Sequence, residues 1–421
     1  MKKLFIAFLC FIIVFALFAC SRTGAEEYSR LNAEAEGTFS DEYLSNVTYD
    51  AAYKDFCYRF FGTVNQDENR NFCLSPLSAY MAFSLCFYGS EGTTAEAFED
   101  AFGLNKQQAA EYCSSLYAHF LKRTYSDEQT RVHLANSVWV EGKIASYVKE
   151  EYLKGATERF DAAIYQCDFS KESTVSAIND WCAEHTDGLI DKIIDRLEED
   201  QILALINALL VEAAWADPYT RTTSDIFTCE DGSILTADYL PRTIKRCYIT
   251  EDAKAFKMPL EDGFSFLGIL PNSDNSISQY AASLTAEKVA ALLAAETSEY
   301  DVYTRIPKFS LDYEIELDNA MKRMGIATAY DPIRADFRSL AEIPGKNVYI
   351  GTAKQKTHFE VDEKGVKAAA ITYIGMKATN VMPVERKKIN IYLDRPFLFM
   401  LIDDVTGLPL FIGRINTLKA E

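Results

Sequence analysis

The sequence predicts one large α+β domain over residues 50–421, and a few observations carry that expectation. Tyr53, Phe56, Cys57, Phe60 and Phe61 recur at three- and four-residue steps from Ala51 onward, the period of a helix with one buried face. Leu134–Val140 alternates as a half-buried strand does, and two hydrophobic runs, Phe397–Ile402 and Leu408–Ile412, close the chain as a strand pair. No Pro/Gly/Ser-rich linker divides the chain after residue 50. With 421 residues and 48% hydrophobic composition, it can bury a sizeable core as a single unit.

The first nineteen residues are set apart. Lys2 and Lys3 precede an apolar run from Leu4 to Ala19, which ends at Leu17-Phe18-Ala19-Cys20 before Ser21-Arg22. A helix of about sixteen residues rises only about 24 Å, short of a roughly 30 Å hydrocarbon core, so a cleaved signal is expected rather than a spanning anchor. The pattern resembles bacterial lipoprotein signals. That resemblance implies lipidation of Cys20 and an exported chain held to a membrane through the lipid, on the periplasmic or cell-surface side. Residues 20–49, polar and rich in acids, are then expected to be a tether without fixed structure.

The formal net charge is −19. That balance opposes binding to nucleic acid or to anionic lipid headgroups. Apart from Cys10 and Cys20, the cysteines are Cys57, Cys73, Cys86, Cys113, Cys167, Cys182, Cys229 and Cys247. None falls in a CxxC pair or a zinc spacing, and several lie in apolar periodic segments, so buried thiols are expected and no metal. His119, His133, His185 and His358 lie outside any nucleophile-elbow or HExxH setting, and no phosphate-binding glycine loop is present. A hydrolase, or any other enzyme, is the least supported class.

Motifs then follow in order. Asn71-Phe72-Cys73-Leu74-Ser75-Pro76-Leu77-Ser78 reads as a short strand and a helix start, since serine caps free N–H groups and proline suits the first turn. Tyr88-Gly89-Ser90-Glu91-Gly92-Thr93-Thr94 leads to the next helix. Ile178-Asn179-Asp180-Trp181 precedes Thr186-Asp187-Gly188-Leu189-Ile190, and Leu205-Ile206-Asn207-Ala208 stands eight residues before Trp215. Later come Lys257-Met258-Pro259-Leu260, Ile306-Pro307-Lys308-Phe309, Met324-Gly325-Ile326, and Arg395-Pro396-Phe397 with Thr406-Gly407-Leu408-Pro409.

The most informative stretch is Glu363-Lys364-Gly365-Val366-Lys367-Ala368-Ala369-Ala370-Ile371-Thr372, an acid, a glycine and small residues opening a long connection to Pro396. Loops of that length usually carry function. A strand inserting between two others would turn Val366, Ala368, Ala370, Thr372, Ile374 and Met376 to the core and Lys367 and Lys377 outward. None of the inward set is charged, and the first proline after Glu363 is Pro383, so each inserting peptide keeps its N–H.

Taken together, these segments resemble the serpin family over residues 50–416. The resemblance implies the serpin fold, about nine helices around three β-sheets with a large central sheet and an exposed reactive-centre loop at about 363–390. It implies a hinge at Glu363, Gly365, Val366, Ala368, Ala369 and Ala370. It also implies a site at the top of the sheet formed by Trp215, Lys308 and Glu363, and a mid-sheet opening point where Ser75, Ser78 and Asn207 would hydrogen-bond. The histidine usual at the last of these sites is replaced by Gln355, and the lysine and glycine usual between Asn207 and Trp215 by Glu212, Ala213 and Ala214. Counting from the hinge acid places the cleavable bond at Thr379-Asn380, with Met376, Lys377 and Met382 as rivals. The implied function is suicide inhibition of serine and also cysteine endopeptidases by a monomer without cofactor. A non-inhibitory ligand-binding or chaperone-like module is the alternative.

Overall fold

A computed structural model describes residues 28–32, 37, 39–121, 130–198, 201–272, 276–351, 353–366 and 386–418. The order begins with β1 (Tyr28–Arg30), α1 (Val47–Asn65), β2 (Phe72–Leu74), α2 (Pro76–Gly89), α3 (Gly92–Phe102) and α4 (Lys106–Leu121). It continues with β3 (Thr130–Glu141), α5 (Glu150–Phe160), β4 (Ala162–Cys167), α6 (Glu172–His185), β5 (Leu203–Ala214), β6 (Thr223–Thr228) and β7 (Ile234–Ile244). Next are β8 (Cys247–Ile249), β9 (Ala253–Pro259), β10 (Phe264–Pro271), α7 (Ile277–Ala282), α8 (Ala286–Ala294) and β11 (Glu296–Thr297). The remainder is β12 (Tyr300–Pro307), β13 (Phe309–Glu316), α9 (Asp318–Arg323), β14 (Lys354–Val361), β15 (Gly365–Val366), β16 (Lys387–Tyr392), β17 (Phe397–Asp403) and β18 (Leu408–Ile415).

The strands form three sheets among the described residues. The large sheet has the order β1-β4-β3-β5-β15-β14-β13, the second β11-β8-β9-β10-β17-β18-β2, and the third β16-β12-β7-β6. The helix starts follow their capping residues. Asn46 accepts from the Thr48 and Tyr49 N–H groups, and Ser75 Oγ accepts from Ser78 N at 3.2 Å with Pro76 in the first turn. From that start α2 runs behind the large sheet, against β5 and β18.

Strand β14 shows why the large sheet needs a cover on its inner face. Gln355, Thr357, Phe359 and Val361 are buried, and Lys354, Lys356, His358 and Glu360 alternate outward. Phe359 packs on Phe309, Phe399 and Phe411, joining the first sheet to the second. On the outer face, α6 lays Ile178 and Trp181 on Trp139 of β3 and on Ala204, Ile206 and Ala208 of β5. The turn after α6 follows from Thr186, whose hydroxyl donates to Cys182 O and accepts from Ile190 N, and from Gly188 at φ +79°.

The structureless tether expected over 20–49 is corrected at Tyr28–Asn32 and from Phe39 on. Tyr28–Arg30 pairs antiparallel with β4, and the Tyr28 ring lies edge-on to Trp139 and Tyr165. Asn32 completes the attachment, donating to Thr157 Oγ1 and Ala162 O and accepting from Ile164 N. Edge peptide groups need partners, and here a short polar segment supplies them. The signal segment and Cys20 lie outside the described residues. All eight cysteines from Cys57 to Cys247 are buried and free of disulfides, and burial pushes the Cys86 and Cys113 thiols up to about 12.

Candidate functional site

The candidate site is the head of the seam between β5 and β14. Val361 ends β14, a tight turn follows, and Gly365-Val366 returns as β15 between the two strands. Val366 pairs with Ala213 of β5 on one side and with Val361 of β14 on the other, both antiparallel. Among the described residues, β5 and β14 meet through β15 and have no ladder of their own. Val366 is 2% exposed, so its side chain has entered the core.

Residue types explain the turn. Asp362 Oδ1 accepts from Lys364 N at 2.7 Å and Gly365 N at 3.1 Å, a side chain imitating a backbone turn. A Cβ on Gly365 would overlap the Ala213 carbonyl oxygen, so only glycine lets the returning strand lie this close to β5. Trp215, 1% exposed, binds the turn from below, its N–H donating to Lys364 O and its Nε1 to Asp362 O at 2.8 Å. Tyr219 N donates to Glu363 O at 3.2 Å, and the Arg242 guanidinium lies over the Tyr219 ring. Lys308, at the β12–β13 junction, places Nζ 2.8 Å from Glu363 Oε1. That contact holds the Glu363 carboxyl below its usual range and raises Lys308. Trp215, Lys308 and Glu363 are therefore one cluster, and Asp362 and Tyr219 complete it. The Asp-x-x-Gly spacing at Asp362-Gly365 was the available sequence signal for the turn.

Deeper in the sheet, Gln355 and Ser75 form a two-way pair. Gln355 Nε2 donates to Ser75 O at 2.8 Å, and Ser75 N donates to Gln355 Oε1 at 3.1 Å. Thr357 Oγ1 donates to Cys73 O beside them. Asn207 does not join this group, contrary to the expectation that it would bond there with Ser75. Its Nδ2 donates to Asn136 Oδ1 at 2.8 Å, across the β3–β5 ladder that sets these residues opposite one another. The partner of Asn207 is thus on β3, the neighbour that pairs with it directly. Among the described residues Asn207 Oδ1 accepts no hydrogen bond.

Below Val366, a cleft is lined by Leu209 and Val211 of β5, Phe359 of β14, and Thr186, Leu189 and Ile190 after α6. Ionic contacts hold the α6 exit over this seam from both sides. Arg131 of β3 bridges Asp187 and Glu212, and Lys356 of β14 donates to Lys192 O at 3.1 Å with Asp191 nearby. Glu212 is thus explained locally, as the buried partner of Arg131. The hinge alanines Ala368, Ala369 and Ala370, and the reactive-bond candidates Met376, Lys377, Thr379, Asn380 and Met382, lie outside the described residues.

The comparisons agree with this architecture. The family profile of the serpins, serine protease inhibitors, matches residues 51–418. An uncharacterised serpin-like protein of Methanosarcina acetivorans is 28% identical over 388 residues, covering 89% of this chain and 87% of that protein. Plasminogen activator inhibitor 1 of Sus scrofa is 28% identical over 402 residues, covering 90% of this chain and 95% of the inhibitor. The crystal structure of the thermophilic serpin Tengpin in its native state superposes with a TM-score of 0.83 at 28% identity, covering 93% of this chain and all of Tengpin. The chain belongs to the serpin family. Many members of that family inhibit serine proteases, typically as monomers, and some are non-inhibitory; membership supports a chain that is not an enzyme.

Proposed function

We propose that this protein is a single-use inhibitor of serine endopeptidases, with cysteine endopeptidases a second target class because they too form acyl-enzymes. The observation carrying this reading is the seating of Gly365-Val366 between β5 and β14, with Val366 buried. A loop whose first residues already pair on both sides has a defined track for the rest.

In the proposed cycle, the protease nucleophile attacks the Thr379 carbonyl, the Asn380 amine leaves, and an ester joins Thr379 to the enzyme. Residues after Val366 then enter the seam before water can hydrolyse that ester. Continued in the register of β15, the strand sets Thr372 opposite Asn207 and Gln355, and Lys367 opposite Glu212 and Glu360. The unused acceptor of Asn207 would gain the Thr372 hydroxyl. Each added ladder hydrogen bond contributes about 1 kcal/mol net, and apolar side chains on the inward parity add burial at about 25 cal/mol per Å².

Export and lipidation at Cys20 are part of the proposal, and rest on the N-terminal sequence pattern. The test mixes a form lacking residues 1–20, which retains β1, with elastase-, subtilisin-, chymotrypsin- and trypsin-like proteases. A denaturation-resistant band at the summed mass, with a released peptide beginning at Asn380, is expected. Cleavage of the loop without complex and without gain in heat stability would replace this reading with a binding module.

A further inference from the structure

The place where the reactive loop rejoins the body carries cations that neither the sheet nor the seam uses. Strand β16 is an edge strand of the third sheet and the first described element after the loop, running parallel to β12 with Tyr300 opposite Lys387 and Asp301 opposite Lys388. Arg386, Lys387 and Lys388 lead into it, and Lys387 and Lys388 are exposed. Lys245 and Arg246, at the turn between β7 and β8, come alongside with side chains 61% and 74% exposed. Among the described residues the carboxylates available to them are fewer. Asp301 takes Lys245 at 2.6 Å, with Arg386 and Lys388 acting on the same carboxylate. Glu296 stands 3.7 Å from Arg246, Glu299 is exposed nearby, and Arg386 donates to Ser298 O. Counting the adjoining Glu385 of the sequence as well, five cations stand against four carboxylates, an excess of positive charge in a chain whose net charge is −19.

We infer that Arg246, Lys387 and Lys388 form a docking surface for a protease whose active-site cleft is rimmed by aspartates and glutamates. The inference rests on the inhibitor reading and adds to it the class of target. A protease closing on Thr379-Asn380 brings its rim within reach of Lys387, which is seven peptide steps from Asn380, at most about 25 Å of extended chain. Charges beside a recognition loop raise encounter rates with a partner of opposite sign and act against a like-charged one. The negative charge over the remainder of this chain repels an acidic protease elsewhere, which turns the approach toward this end.

The test separates encounter from trapping. The full chain is presented to two subtilisin-class proteases inactivated at the catalytic serine, one acidic around its cleft and one neutral there, and association is followed at low and at high salt. The acidic protease is expected to bind about tenfold faster at low salt, with the gap closing at high salt. Arg246→Glu with Lys387→Glu should remove that advantage, and Arg246→Ser with Lys387→Ser should remove about half of it at unchanged melting temperature. Equal rates for the two proteases, no binding to either, or an advantage that survives both double variants would overturn the inference. If the advantage behaves as expected while active enzymes only cleave the loop, the surface stands and the inhibitor reading falls.

Discussion

Lys308 Nζ lies 2.8 Å from Glu363 Oε1, and the pair joins the start of β13 to the turn that leads into β15. Both side chains are about a third exposed, at 35% and 36%. Coulombic gain is therefore screened, and the pair is worth roughly 0.2–1 kcal/mol to overall stability. The pH dependence follows from the two shifts. Glu363 is held down, so its contribution is complete above the unfolded carboxylate value near ~4.3 and is lost as pH falls through the lower folded value. Lys308 is raised, so its contribution is complete below about 10.4 and is lost as pH rises through the higher folded value. Glu363→Gln should lower the melting temperature slightly at pH 7 and by nothing measurable at pH 2.5. Hydrogen exchange at Gly365 and Val366 should rise more than the global change, because the pair tethers the turn.

Gln355→Ala should be far more costly. It leaves both Ser75 N and Ser75 O buried without their partner, at about 1–3 kcal/mol for each unsatisfied group. Denaturant midpoints should report a loss of about 2–4 kcal/mol. Gln355→Glu keeps the acceptor for Ser75 N and sets a carboxylate against Ser75 O, and should fall between wild type and Gln355→Ala only at acidic pH. Equal stability of all three proteins at every pH would remove Gln355 from the structural account of the sheet.

What the sequence made legible depended on whether side chains or only backbone carried the information. The alternation through Leu134–Val140 was legible because side chains carry the strand period, and it falls within β3. The closeness of Lys308 to Glu363 depends on strand order, which residue types do not contain and only the family resemblance supplied. Docking of Tyr28–Arg30 on β4 was not legible, since edge pairing is made by peptide groups and the segment is too short for a period. The partner of Asn207 depended on the register of β3 against β5, which sets Asn136 opposite it and which residue types do not contain. Glu212 read as a departure until Arg131 appeared opposite it on β3.

Gly365→Val should expel β15 from the seam. The added Cβ meets the Ala213 carbonyl, a rigid backbone group that cannot yield as a side chain end would. Overpacking of this kind costs about 1–3 kcal/mol, enough to unseat two residues held by a few hydrogen bonds. Exchange protection should disappear at Ala213 and Val366, whose N–H groups face one another across the β5–β15 ladder, while β3 and β13 stay protected. If the loop inhibits as proposed, more of each encounter should end in cleavage and less in complex. Unchanged protection at Val366 would show that β15 is held by something other than this close approach.

The register of β15 makes Lys367 a sensitive probe of insertion. Continued by one residue, that register would set Lys367 opposite Glu212 on β5 and Glu360 on β14, so the inserting strand of the proposed cycle would carry a cation between two carboxylates. Glu212 is already paired with Arg131, and Lys367 would join that pair rather than replace a bare charge. Cross-strand opposite charges contribute about 0.2–1 kcal/mol each, and like charges cost a similar amount. Lys367→Glu should therefore raise the number of inhibitor molecules consumed per protease trapped by about two- to fivefold, with little effect on the melting temperature of the uncleaved protein. Glu360→Lys in the Lys367→Glu background should restore most of the loss, whereas Glu360→Lys alone should mimic it. Because Glu360 lies on the outward face of β14, this double-mutant cycle reads the inserted register and not the packing of the core. Independent effects of the two substitutions would mean that the strand enters in another register than Val366 begins.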